Sequence, residues 1–224
     1  MGLISMIAEK LVRAEEKTEA YSTKMLPRIV KSEELMGELE LVGRMKEGDA
    51  KAIEEIVQRY KGPLFAFILR MTNNHAAAED LFQETWLRVI RYIEKFRGDS
   101  KFSTWLFQIA LNLFRDTERK KRRWHTVPIE DIEDTLSYHP GIDPIGMFRA
   151  HQVKKLLRDL PVKMREVIVL RYYHDLSDRE IAEIVGCPEG TVKSRFYRAS
   201  EILRKKWEHL NRDTTGEKGN YEAV

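Results

Sequence analysis

FRGDSKFSTWLFQIALNLFRDTERKKRR, residues Phe96 to Arg123, reads as a short polar loop running into one long helix. Phe102, Leu106, Ile109, Ala110, Leu113 and Thr117 recur at the spacing of one helical face and make an apolar stripe for a core. Ser103 stands where an N-cap is expected. Trp105, Gln108, Asn112, Arg115 and Arg119 fall on another side of the same helix. That side offers a ring to stack on, amides for base edges and guanidinium groups for phosphates, the set that single-stranded nucleic acid calls for. Taken alone, it is more often the ordinary exterior of a helix with a half-buried Trp.

Upstream, the apolar residues again follow the helical period and strand signals are nearly absent. A helix is expected from Glu33 to Met45, ending near Gly48. Asp49 then caps a helix carrying Ile53, Ile56, Val57 and Tyr60. Gly62-Pro63 should break or kink it, because Pro lacks the N–H and collides with the preceding turn. The pattern resumes with Leu64, Phe65, Ile68 and Leu69, and Asn74 caps the next helix, His75 to about Glu94. Its core face is read as Phe82, Trp86, Val89, Ile90 and Ile93. The opposite face carries Asp80, Gln83, Glu84, Leu87 and Arg91, which suits either a docking surface for a basic partner helix or plain solvent.

Downstream, six basic residues crowd Arg115 to Arg123 against Asp116 and Glu118, an electrostatic footprint for phosphates. Composition then changes sharply. Between Val127 and Met147 stand Pro128, Pro140, Pro144 and five acids, with no Lys or Arg, the makeup of an extended charged linker. A second helical unit follows. One helix through Phe148, Val153, Leu156, Leu157 and Leu160 stops at Pro161, and another spans Val162 to His174 with Met164, Val167, Ile168 and Leu170 inward. Ser177 with Glu180 forms a capping box for a short helix that ends at Gly186. After Cys187-Pro188 a longer helix turns Val192, Phe196, Ala199, Ile202 and Leu203 to the core. It exposes Glu189, Gly190, Thr191, Lys193, Ser194, Arg195, Tyr197 and Arg198. Short helix, Gly-containing turn and basic second helix make a helix-turn-helix suited to a major groove.

The chain has 224 residues, enough for one large domain or two small ones, and with 33% charged residues it has a highly charged surface. A net charge of +3 makes it no polycation, so local segregation of charge carries the nucleic-acid reading. One cysteine, Cys187, leaves no disulfide framework and no Cys-based zinc site, which fits a reducing cytoplasm. The N-terminus reads as neither signal peptide nor membrane span. His75 with Glu79 is the nearest thing to a metal arrangement, but no third ligand lies at helical spacing. Without a Gly-rich phosphate loop or nucleophile motif, the expectation is no enzyme, no cofactor and no metal.

Together these features resemble a bacterial RNA polymerase sigma factor of the extracytoplasmic-function (ECF) group, in the sigma-70 superfamily. AEDLFQETWLRV (Ala78–Val89), FRGDSKFSTWLFQIALNLFRD (Phe96–Asp116) and the helix-turn-helix carry the resemblance, which covers roughly Leu39 to Asn211. It implies an all-α fold of two small helical domains joined by a flexible acidic linker. Region two would occupy 35–124, the linker 125–146 and region four 147–211, with an N-terminal extension over 1–34 and a disordered tail over 212–224.

The same resemblance assigns roles. Asp80, Gln83, Glu84 and Leu87 would dock on the clamp helices of the polymerase largest subunit. The loop with Phe96, Arg97, Asp99 and Ser100, and the helix residues Trp105, Gln108 and Asn112, would open and read the minus-ten element and capture a flipped base. Arg115, Arg119, Arg122 and Arg123 would lie on the DNA backbone. Glu189 to Arg198 would read the minus-thirty-five duplex, and that domain would touch the flap of the second-largest subunit. The linker would thread near the RNA exit path, and an anti-sigma factor is an implied partner. The main rival is a helix-turn-helix regulator that binds operator DNA without being a polymerase subunit. It accounts for residues 175–206 but leaves the Asp80 and Asn112 faces without work.

Overall fold

In the computed structural model residues 32–123 and 152–216 are described, and every regular element in those spans is helical. Residues 1–31 of the N-terminal extension, the acidic linker and residues 217–224 lie outside the described residues. The first domain comprises α1 (Ser32–Lys46), α2 (Ala50–Thr72), α3 (His75–Tyr92), a single 3-10 turn (Ile93–Lys95) and α4 (Phe102–Arg123). The second comprises α5 (152–158), α6 (Val162–His174), α7 (Asp178–Val185) and α8 (Glu189–Gly216).

Local chemistry sets most boundaries. Asp49 accepts from the amides of Lys51 and Ala52 at the start of α2. Asn73, in the left-handed region at φ 53°, ends α2, and Asn74 accepts from Ala77 N to start α3. Four expectations are corrected. Pro63 does not break α2, which is continuous from Ala50 to Thr72. Tyr60, Leu64 and Phe67 around it are buried, and packing outweighs a local penalty of about 3 kcal/mol. Ile90 is exposed, because the inward stripe of α3 runs Ala78, Leu81, Thr85 and Val89 with Trp86 beside it. Ser103 lies inside α4 and does not cap it; instead Glu38 of α1 accepts from Phe102 N at 3.0 Å. Finally, α8 continues through Gly216, past the boundary expected at 211.

The two domains pack on each other. Helix α6 lies against α2 as well as α7 and α8, and α7 lies along α4. Helix α6 is consequently buried nearly all round: Val167, Ile168, Val169 and Leu170 are joined by Arg165, Glu166 and His174. Those polar groups are buried because the first domain covers them.

Candidate nucleic-acid and polymerase interfaces

The loop between the 3-10 turn and α4 is closed by aromatic rings. Phe96 and Phe102 meet at 5.8 Å between centroids, and Trp105 packs on both at 5.4 and 5.9 Å. Phe96 is only 4% exposed, so its ring belongs to the core and not to a DNA-facing surface, where it was expected. Trp105 is half-buried and backs the loop. Arg97, Gly98 and Asp99 stand exposed at its tip, with Ser100 half-buried. Gly98 has φ +80°, a conformation that side chains strain to adopt. Along α4, Asn112, Arg119, Arg122 and Arg123 are exposed; Arg119 pairs with Asp116 one turn back.

Gln108 and Arg115 are placed otherwise than expected. With Lys101 they stand seven residues apart, which sets them on one stripe, and all three bond to α7. Lys101 Nζ meets Glu180 Oε1 at 2.6 Å, at the N-terminal turn of α7. Gln108 Nε2 donates to the Glu183 carbonyl at 3.4 Å, and Arg115 Nη1 to the Val185 carbonyl at 3.1 Å. These carbonyls belong to the last turn of α7, where intrahelical partners run out and a cation is favoured. Arg115 also grips Glu166 of α6 with two bonds, of 2.8 and 2.6 Å. Burial alone would raise the Glu180 carboxyl, but the Lys101 ammonium and the Ser177 bonds hold it below the usual carboxylate range. Lys101 was absent from the sequence-derived site; a single Lys at a helix start carries no local signal of such a partner.

The contact continues beyond this stripe. Arg165 Nη1 donates to the Met71 carbonyl at 2.9 Å, and the Arg70 guanidinium lies 4.0 Å over the Tyr173 ring. His174 sits between Phe107 and Phe67 at 4.8 and 5.7 Å.

In the first domain, Asp80, Gln83, Glu84 and Leu87 are all exposed on α3. Leu87 is 59% exposed, and Ile90 continues the apolar strip. Glu84 pairs with Arg88 at 2.9 Å, an exposed i, i+4 pair of small energy. In the second domain the Ser177–Glu180 capping box is complete, and Gly186 closes α7 in the left-handed region at φ 72°. Helix α8 then exposes Glu189, Gly190, Lys193, Ser194, Tyr197 and Arg198, while Thr191 and Arg195 are half-buried. Arg195 reaches Cys187 Sγ at 3.6 Å.

Residues 56–124 match the Sigma-70 region 2 family and residues 150–203 the Sigma-70, region 4 family. The ECF RNA polymerase sigma factor SigW of Bacillus subtilis is 36% identical over 179 residues, covering 75% of this chain and 96% of that protein. The chain belongs to the ECF group of sigma-70 factors. The ECF RNA polymerase sigma-E factor of Haemophilus influenzae is 35% identical, over 76% of this chain and 95% of its own length. Among solved structures, the sigma factor RpoE of Bartonella quintana in complex with the anti-sigma factor NepR is similar, with a TM-score of 0.58. It is 29% identical over 71% of this chain and 98% of that one. In this ECF sigma factor, α1 precedes the residues matched to region 2. Among the described residues no helix is long and apolar enough to cross a membrane. His75 and Glu79 meet at 3.5 Å on the surface, and no group of three metal-ligating side chains occurs among the described residues.

Proposed function

We propose that this chain binds core RNA polymerase in the cytoplasm and directs promoter recognition and opening, acting as a specificity subunit and not as an enzyme. The observation that carries this reading is a division of exposed faces. The α8 face, with Lys193, Tyr197 and Arg198, fits a duplex major groove, while the Arg97–Asp99 tip and Asn112 fit unpaired minus-ten bases. The exposed Asp80, Gln83, Glu84 and Leu87 fit the clamp helices of the largest subunit. The second domain would meet the flap of the second-largest subunit, and an anti-sigma factor, as in the RpoE–NepR complex, is a further partner.

This function requires the two domains to part. Gln108 and Arg115 cannot hold α7 and reach DNA at once, and minus-ten and minus-thirty-five elements lie too far apart for adjacent readers. The described arrangement is therefore a closed form, and polymerase binding supplies the energy to open it. Run-off transcription with core polymerase across a promoter library tests the reading. Initiation from a defined promoter is expected. A chain that binds duplex DNA but neither binds core nor starts transcription would be an operator-binding regulator instead.

A further inference from the structure

Helix α1 touches the loop that precedes α4 at its start, its middle and its end. At the start, Lys46 Nζ donates to the Phe96 carbonyl at 2.6 Å. In the middle, a Cβ at Gly98 would stand 3.6 Å from Leu39 Cδ2, so Leu39 lies under the loop tip. At the end, Glu38 Oε1 accepts from Phe102 N at 3.0 Å, while its other oxygen accepts from the Tyr60 hydroxyl. Glu38 is 2% exposed, so this carboxylate is set inside the domain and satisfied there. Burial together with Glu38 pushes the Tyr60 hydroxyl far above its ordinary value, which keeps it protonated as the donor.

The energetic logic concerns the loop backbone. Arg97, Gly98 and Asp99 are exposed, and a free five-residue segment would sample many conformations, each costing entropy to select when a base is captured. The aromatic contact between Phe96 and Phe102 closes the loop but does not set the direction of its carbonyls. A charge-assisted bond to the Phe96 carbonyl and a carboxylate on the first amide of α4 do set it. The geometry points to α1 as the brace that preorganises the minus-ten loop, with Lys46 and Glu38 as positioning residues that themselves touch no DNA. This rests on the assignment of the loop to minus-ten recognition.

Lys46→Met in the full chain removes the ammonium and keeps the apolar stem, at a half-buried position where folding should be retained. Four readouts apply. Hydrogen–deuterium exchange of residues 96–101 in the free protein should accelerate, with thermal unfolding little changed. The holoenzyme reconstituted with core polymerase should bind a fluorescent single-stranded minus-ten oligonucleotide about tenfold more weakly, the worth of a charge-assisted bond. Affinity for core polymerase should stay at the wild-type value. Lys46→Arg, which can still donate, should restore both loop protection and strand binding. Unchanged exchange and unchanged strand binding in Lys46→Met overturn the brace, as does a loss of core affinity equal to the loss of strand binding. If the wild-type holoenzyme shows no preference for the minus-ten strand, the assignment of the loop fails instead, and the exchange measurement still decides the brace.

Discussion

Arg115 of the first domain and Glu166 of the second share two hydrogen bonds, of 2.8 and 2.6 Å, and the Glu166 side chain has no exposure to solvent. The pair is unequal: Arg115 is about a third exposed and can find water or phosphate elsewhere, whereas Glu166 is charged, fully buried and dependent on it. A buried carboxylate deprived of its partner costs several kcal/mol, which separation of the domains relieves by letting water reach it. Arg115→Ala should therefore open the free protein, raising the radius of gyration measured by X-ray scattering and exposing amides of α7. A scattering curve identical to wild type would show that the apolar part of the interface holds the domains unaided.

Acid should open the same interface. Burial, with the Arg70 guanidinium nearby, pushes His174 down to about 3, and neither ring nitrogen has a hydrogen-bond partner. Freed of Phe67 and Phe107, the ring would titrate near 6.5. The closed form thus has its full stability above pH 6.5 and loses it as pH falls toward 3, because only the open form takes up the proton. Going from pH 7 to 5 should favour opening by about 2 kcal/mol. Scattering or interdomain energy transfer across that range checks this, and His174→Phe should flatten the response. A pH response that survives His174→Phe belongs to another group.

Ser177→Ala removes the N-cap of α7 and one of the partners that hold Glu180. A loss of about 1 kcal/mol is expected. It should appear as a lower unfolding temperature without change in core polymerase binding.

Asn112→Ala should weaken use of promoters at one base position, because this exposed amide stands on the free part of the α4 face. Transcription across a minus-ten library is the measurement. Equal loss on every sequence would make Asn112 a backbone contact and not a reader.

Asp80→Ala with Gln83→Ala should lower affinity for core polymerase and leave the fold intact, since both side chains are exposed on α3. Competition against a labelled sigma factor reads this directly. Unchanged competition would move the docking surface elsewhere.

The sequence by itself determined everything that depends on near neighbours. Asp49, Asn74 and the Ser177–Glu180 box bond amides two or three residues away, and Gly186 satisfies its own helix end, so their roles are written in a few consecutive letters. Helical periodicity likewise located α1 to α4 and α6 to α8, and most exposed residues of α3 and α8, though it turned Ile90 inward and Thr191 and Arg195 fully outward. Tertiary structure alone decided what needs a distant partner. The cap of α4 is Glu38, 64 residues away, and no reading of the first turn could replace Ser103 with it. Pro63 stays helical because residues far along the chain pack on both sides of it. Glu166, His174 and Arg165 look like exterior polar groups of α6 until the first domain covers them. Phe96 and Arg115 show the same limit from the other side. Periodicity gives the direction in which a side chain leaves its helix, but whether it meets water, DNA or another helix there depends on free energies of packing between segments that the local pattern does not contain.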